Sequence, residues 1–289
     1  MPAAATNPLD TPGKEFTVQR LLDTSTVAVR LVDCRGSCRH RSDEECVTHT
    51  HLVFPYRGVY LRHVGGDLAV ADANHVLLFN EGQGYQVSHP VTGGDANLVL
   101  SVAAPLLEEL SPRNLLNEGA ALTFNQQHLR IDARAQALVM LLKHSLRNGS
   151  IEPLEAEALS LTLVSRAIGP RTARASGASY ARRRLVDRVK VLLASDLSRR
   201  WTLAGIAREI KGSPVYLTQV FQLVEGLPLY RYHLRLRLAR ALDLIAERDD
   251  LSDLAQDLGF SSHSHFSAAF RQAYGRTPSE FAKDFDSAR

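Results

Sequence analysis

Residues 203–226, LAGIAREIKGSPVYLTQVFQLVEG, and residues 251–275, LSDLAQDLGFSSHSHFSAAFRQAYG, are one pattern written twice. Leu203, Ile206, Ala207 and Ile210 recur at helical spacing, and Leu251, Leu254, Ala255 and Leu258 repeat that face forty-eight positions later. After a one-residue slip in the turn, Leu217, Phe221 and Gly226 match Phe266, Phe270 and Gly275 at forty-nine. Each copy predicts a short helix, a tight turn and a second helix, with Ser213 and Ser262 placed to cap the first-turn amides of the second helix. That is a helix-turn-helix, present twice.

The outer faces of the second helices carry the functional expectation. Leu217, Val220 and Phe221 form the inward stripe of one, which leaves Val215, Thr218, Gln219 and Gln222 outside. Phe266, Ala269 and Phe270 do the same in the other, leaving His263, Ser264, Ser267, Ala268 and Arg271. These sets are small and polar, without carboxylates. Such side chains can hydrogen-bond base edges in a major groove, where Asp or Glu would meet phosphate repulsion. Between the copies, LPLYRYHLRLRLARALDLIAE keeps Tyr232, Leu236, Ala239 and Ile245 on one apolar face and puts Arg235, Arg237 and Arg240 elsewhere. A helix of about eighteen residues spans roughly 27 Å, a ruler of the size needed to set two readers about 34 Å apart along one face of B-DNA.

Three stretches carry a resemblance to a known family: LYRYHLRLRLARALDLI, the run LSDLAQDLGFSSHSHFSAAFRQAYGRTPSEF, and the first motif LAGIAREIKGSPVYLTQVF. Together they resemble the DNA-binding domain of the AraC/XylS family of bacterial transcription regulators. Gly259, Phe260, Phe266, Phe270, Gly275, Thr277, Pro278 and Phe281 stand where that family's pattern puts them. The resemblance implies a rigid pair of motifs entering successive major grooves of one asymmetric site. It also implies a sensor domain ahead of the reader and helices that carry dimerisation. Two departures stand out. Gly205 lies inside the first helix, at a propensity cost of about 1 kcal/mol against Ala, and Ala268 occupies a reading position usually long and polar.

Charge is divided along the chain. Residues 180–289 hold 18 Lys and Arg against 13 Asp and Glu, whereas residues 1–179 hold 16 against 18. The positive excess thus sits with the paired motifs, as phosphate contact requires. At 289 residues the chain has room for two cores. No run approaches the length of a membrane span, and the start, MPAAATNPLDTPGKEF, lacks the pattern of a secretory signal. The expected location is therefore the cytoplasm.

Residues 1–15, rich in Pro, Ala and Thr, read as loose. From Phe16 to Ala104 the signals are short strands: FTVQRLL, VAVRLVDC, HLVFPYRGVYLRHV, LAVA, HVLLFN, YQVSHPV and NLVLSVA, set apart by Gly-, Asp- and Asn-rich turns. This predicts an antiparallel barrel or sandwich, and its place ahead of an AraC-type reader favours a cupin-like barrel. Residues 105–168 change to helical periodicity. Leu138, Leu141 and Leu142 with Leu159 and Leu163 make an antiparallel pair that either dimerises or caps the barrel. GPRTARASGASYARRR, 169–184, reads as a basic linker. The expected fold is α+β: a cupin-like antiparallel β-barrel with a helical segment in 1–168, and an all-α domain with two helix-turn-helix motifs in 185–289.

All three cysteines fall in DCRGSCRHRSDEECVTHTH. Clustered thiols in a cytoplasmic chain suggest a metal or redox role. Cys34, Cys38 and Cys46 with one of His40, His49 or His51, preferably His51, could complete a zinc or other soft-metal tetrahedron. A thiol switch and unreactive thiols remain the alternatives. Inside the barrel, Arg57, Tyr60, His63 and His89 are the candidate effector pocket. His49 and His51 with His89 partly match a metal-binding cupin enzyme, but no carboxylate follows the pair, which argues against catalysis.

The function expected is a non-enzymatic, sequence-specific regulator of transcription that binds double-stranded DNA through Val215, Thr218, Gln219, Gln222, Arg235, Arg240, His263, Ser264, Ser267 and Arg271. A ligand, metal or redox signal at the N-terminal domain would control it. RNA polymerase and a second copy of the chain are further candidate partners. The alternatives are a cysteine-based alkylation or redox sensor, with Arg35, Arg39, His40 and Arg41 lowering the thiol pKa, or a metal-dependent cupin enzyme fused to a DNA-binding domain.

Overall fold

A computed structural model describes residues 16–36, 39–119, 122–169, 178–248 and 250–286. The N-terminal segment, Cys38 and residues 170–177, half of the expected linker, lie outside the described residues. An antiparallel β half is followed by a helical half, as the α+β reading requires.

Ten strands are described: β1 (Phe16–Asp23), β2 (Val27–Cys34), β3 (Glu45–Cys46), β4 (His51–Arg57), β5 (Tyr60–Val64), β6 (Asp67–Ala71), β7 (His75–Phe79), β8 (Gly84–Ser88), β9 (Asp95–Val102) and β10 (His128–Arg130). They form a six-stranded sheet in the order β1-β2-β9-β4-β7-β10 and a four-stranded sheet in the order β3-β8-β5-β6. Period-two alternation decides which way each side chain goes. Val29, Leu31, Leu52, Phe54, Val76, Leu78, Ala96, Leu98 and Leu100 of the larger sheet pack into the main core with the helices. The alternate positions Val53, Leu77, Phe79 and Val99 meet Tyr60 and Ala71 of the smaller sheet in a second core. The central strands β4, β7 and β9 of the larger sheet are therefore buried on both faces. The stretch 51–64, which reads as one strand, is broken by Gly58 at a φ of +75°.

The helices α1 (Ala104–Leu110), α2 (Ala133–Asn148) and α3 (Pro153–Ile168) cover the outer face of the larger sheet. On α2, Ala135, Val139 and Leu142 repeat at four and three and are buried. Asp132 caps this helix by accepting from the Ala135 amide at 2.9 Å, and Gly149 ends it with a φ of +64°. β10, only three residues long, breaks the region expected to be wholly helical.

The C-terminal half comprises α4 (Tyr180–Ser195), α5 (Leu203–Ile210), α6 (Pro214–Glu225), α7 (Leu229–Leu244), α8 (Leu251–Asp257), α9 (His263–Tyr274) and α10 (Pro278–Asp286). The stretch 180–184, read as linker, is instead the first turn of α4, capped where Ser179 Oγ accepts from the Arg182 amide. α4 to α7 enclose their own core around Val189, Leu193, Ile206, Phe221 and Tyr232. The core of α8 and α9 runs without interruption into that of the sheet and α2, and Leu254, Phe266 and Phe270 share it with Leu142 and Leu163. Leu142 and Leu163 are thus occupied inside this molecule.

Candidate nucleic-acid interface and barrel cavity

The first motif is built by α5 and α6. Thr202 Oγ1 accepts from the Gly205 amide at 3.0 Å, so the glycine that seemed misplaced stands in the first turn, where its amide is satisfied by the cap. Ile206, Ala207 and Ile210 are buried, and α5 ends at Lys211 with a φ of +56°. The expected Ser213 cap does not form; Ser213 makes no side-chain cap bond, and Pro214 starts α6 with its φ already set for a helix. On α6 Leu217, Val220 and Phe221 are buried, while Val215, Thr218, Gln219 and Gln222 are exposed. Thr218 Oγ1 donates back to the Pro214 carbonyl at 3.0 Å, which presents its methyl outward.

The second motif follows the same plan. Asp250 caps α8 by accepting from the Ser252 amide at 2.7 Å, and Ser262 caps α9 by accepting from the His265 amide at 3.1 Å. Phe266, Ala269 and Phe270 are buried; His263, Ser264, Ala268 and Arg271 are exposed, and Ser267 is half-buried. Both expected reading faces are open to solvent.

Arg237, which the sequence places off the apolar face of the connecting helix, is the joint between the two motifs. Its guanidinium donates to the carbonyls of Leu197 at 2.6 Å, Arg199 at 2.9 Å and Gly259 at 3.1 Å. It thereby ties the loop before α5 to the turn after α8. Arg235 and Arg240, expected at phosphates, lie half-buried on α7. Burial, then the nearby Arg130, lowers the Arg235 pKa. Arg240 is committed to an ion pair with Asp243.

Between the two sheets lies a cavity of about 120 Å³, lined by residues that include Cys34, His51, Tyr60, His89, Asp95 and Asn97. Of the expected pocket residues, Tyr60 and His89 line it. Arg57 is instead ion-paired to Asp33 outside it, and His63 is bonded through Nε2 to Ser88 Oγ at 2.9 Å. Of the expected metal ligands Cys38 lies outside the described residues, and Cys34, Cys46 and His51 do not come together. Cys46 is exposed, because β3 points Glu45 into the cavity and its neighbour outward. His51 stacks on Phe79 with ring centroids 4.8 Å apart. Its Nδ1 donates to the His49 carbonyl at 2.8 Å, and burial lowers its pKa to about 4, so the ring is neutral at neutral pH.

Cys34 finds other partners. It is the register partner of Asp95 across β2 and β9. His89 Nε2 lies 2.8 Å from Asp95 Oδ1 and 3.6 Å from Cys34 Sγ. Hydrogen bonding to Asp95, then to Cys34, raises the His89 pKa to about 10. Nothing in the sequence pairs residues this far apart. The carboxylate that a search downstream of His51 fails to find comes from the neighbouring strand.

A second buried polar group joins the β half to the reader. Asp72 Oδ1 accepts from His75 Nδ1 at 2.8 Å, and Asp72 Oδ2 accepts from the Tyr232 hydroxyl. Lys190 of α4 is 2.5 Å from Glu225, the last residue of α6, which lies 3.5 Å from His75 Nε2. Lys190 and His75 hold the Glu225 carboxyl far below its usual range. Lys143 of α2 makes another such bridge, 2.6 Å from Asp243 of α7.

Residues 206–284 match a family model described as a helix-turn-helix domain. Over 259 residues the chain is 27% identical to a probable transcriptional regulator, LumQ, of Photobacterium leiognathi, covering 85% of this chain and 96% of that one. Among solved structures, a DNA-binding transcriptional dual regulator from Escherichia coli K-12 is 30% identical, with 36% of this chain and 93% of that chain covered and a TM-score of 0.34. A regulator with an AraC-type DNA-binding domain from Chromobacterium violaceum is 24% identical over 37% of this chain and 96% of its own, with a TM-score of 0.35. Paired motifs with open polar faces, the helix-turn-helix match and the likeness to LumQ define a DNA-binding transcription regulator. Residues 206–284 thus carry a helix-turn-helix domain. No described helix is long and apolar enough to cross a membrane.

Proposed function

We propose that this regulator reads a specific DNA sequence through the exposed faces of α6 and α9, and that occupancy of the cavity between the sheets controls the reading. The observation that carries the first part is the division of each helix: Leu217, Val220 and Phe221 of α6 and Phe266, Ala269 and Phe270 of α9 are buried while Gln219, Gln222, Ser264 and Arg271 are exposed. Val215, also exposed, could meet a thymine methyl.

The route for control is a single strand. β7 ends at Phe79, which lines the cavity, and begins at His75, which touches Glu225 at the end of α6. A ligand that shifts Phe79 acts on a rigid strand whose other end is tied to the first reading helix. A cavity of about 120 Å³ holds a few waters or a very small ligand, well short of drug-sized occupants.

The test is DNA binding by the full-length protein. Affinity for an operator selected from random sequence should fall steeply with salt, with a slope of about −0.9 per phosphate neutralised. Gln219→Ala should lose about 1–3 kcal/mol at particular base pairs while leaving the salt slope unchanged. Binding that is insensitive to both salt and Gln219 would exclude this assignment.

A further inference from the structure

Cys34, His89 and Asp95 are held together by more than their side chains. Gly36, Gly58 and Gly94 all have left-handed φ values, of +64°, +75° and +71°. A Cβ on Gly36 would lie 2.7 Å from Gly94 Cα and 3.3 Å from His89 Cδ2, and one on Gly94 would strike the Cys34 carbonyl. The chain thus draws the end of β2 against the loop between β8 and β9 more tightly than side chains would allow. Asn97 Nδ2 donates to Asp95 Oδ2 at 2.6 Å, which orients the carboxylate and leaves Oδ1 for the cluster. Asn97 Oδ1, buried beside the same cavity, has no hydrogen-bond partner among the described residues.

The Sγ, Nε2 and carboxylate oxygen all lie within 4.8 Å of one another. Bonds of about 2.0–2.1 Å to nitrogen, 2.0–2.2 Å to oxygen and 2.3 Å to sulfur separate tetrahedral ligands by roughly 3.3–3.6 Å. The observed 3.6 Å from sulfur to nitrogen matches, and the 2.8 Å from nitrogen to oxygen needs to open by about half an ångström. One thiolate, one imidazole and one carboxylate suit zinc and its neighbours, whereas calcium and magnesium prefer all-oxygen sets. Among the described residues no fourth ligand joins this group.

We propose that Cys34, His89 and Asp95 bind one divalent transition metal of the zinc class, with a fourth coordination place opening onto the cavity. Metal binding takes the thiolate and the neutral imidazole. Asn97 Oδ1 would accept a hydrogen bond from whatever fills the fourth place. The proposal deepens the reading of the cavity as the control site, but metal binding is measured without DNA.

The experiment uses the full-length protein, reduced and stripped with chelator, and titrates zinc against a chromophoric competitor and then cobalt(II) by absorbance. Wild type and Cys46→Ser should each take one equivalent, with a sulfur-to-cobalt charge-transfer band. Cys34→Ser should lose that band, and His89→Gln and Asp95→Asn should bind at least tenfold more weakly while their metal-free circular dichroism matches wild type. A folded wild type that takes no metal, or Cys34→Ser and Asp95→Asn binding as tightly as wild type, overturns the proposal. So does a metal-free protein in which Cys34 is consumed by an alkylating agent at undiminished rate in the presence of zinc. None of those results touches the DNA assay, so failure of the metal site and failure of the regulator reading are separable.

Discussion

Replacing Lys190 by Met should lower the free energy of unfolding by about 3–5 kcal/mol, as expected when one partner of a buried ion pair is removed. Lys190 is 1% exposed and lies 2.5 Å from Glu225 and 3.5 Å from His75 Nε2. Without the ammonium, the Glu225 carboxylate would keep only His75 for compensation inside the protein. Replacing both partners, as Lys190→Met with Glu225→Leu, should recover most of the loss, because apolar residues of similar size carry no charge to desolvate. The pair lies within the helical half and meets the sheets through His75. Urea denaturation of the two single variants and the double variant measures the loss and its recovery; a Lys190→Met loss under about 1 kcal/mol would show that the network is not closed to water.

The same network sets a pH dependence. The folded-state pKa of Glu225 lies below its ordinary 4.5, so its contribution is complete above that pH and is lost as pH falls below it. His75 is shifted the other way, above 6.5, through Asp72 and Glu225, against the opposing effects of burial and Lys190. Its contribution is complete below pH 6.5 and fades as pH rises through the raised value. The two contributions overlap between about pH 4.5 and 6.5, and Glu225→Gln should flatten the acid limb of the stability profile.

Gly259→Ala is the second large effect. Lys211 and Gly259 occupy equivalent places in the two motifs, forty-eight positions apart, and both take left-handed φ values, +56° and +76°. A side chain is tolerated at Lys211, so the conformation alone does not explain the glycine. A Cβ on Gly259 would run into the Ser198 carbonyl and come within 2.7 Å of Arg237 Nη2. The backbone must move away, and the bonds from Arg237 to Ser198, Arg199 and Gly259 are disturbed with it. Residual strain of order 1–3 kcal/mol is expected on top of the lost bonds. Operator affinity should fall more than tenfold, because the two motifs would no longer hold one spacing. Arg237→Ala should loosen the same joint without adding any bulk. Lys211→Ala, at the equivalent place without the clash, serves as the control and should leave affinity within about threefold of wild type.

Much of this architecture is legible in the sequence, for identifiable reasons. The strand NLVLSVA is visible because β9 is buried on both faces, which leaves a near-continuous apolar run, and VAVRLVDC is visible because its buried and part-buried positions alternate. Glu45–Cys46 and His128–Arg130 are too short to show a period. The reading faces of α6 and α9 follow from periodicity alone, since Phe221 and Phe270 anchor the opposite side of each helix. The thiols show where such reasoning stops. Cys34, Cys38 and Cys46 are neighbours in sequence, yet strand register gives Cys34 to Asp95 and His89 and puts Cys46 outside. Likewise Tyr232 meets Asp72 across 160 residues, a pairing set by how the two halves dock. Arg237 and Arg240 look alike in sequence, but one joins four loop carbonyls and the other is paired to Asp243.

Two recognition surfaces acting at a fixed spacing on one duplex are tested most directly by comparing the base preferences of Gln219→Ala and Ser264→Ala with wild type across every single-base variant of the operator. Each substitution should relax discrimination at its own small cluster of base pairs, with the clusters about one helical turn, roughly 10–11 base pairs, apart. Loss of discrimination at the same cluster for both variants, or at none, would contradict it.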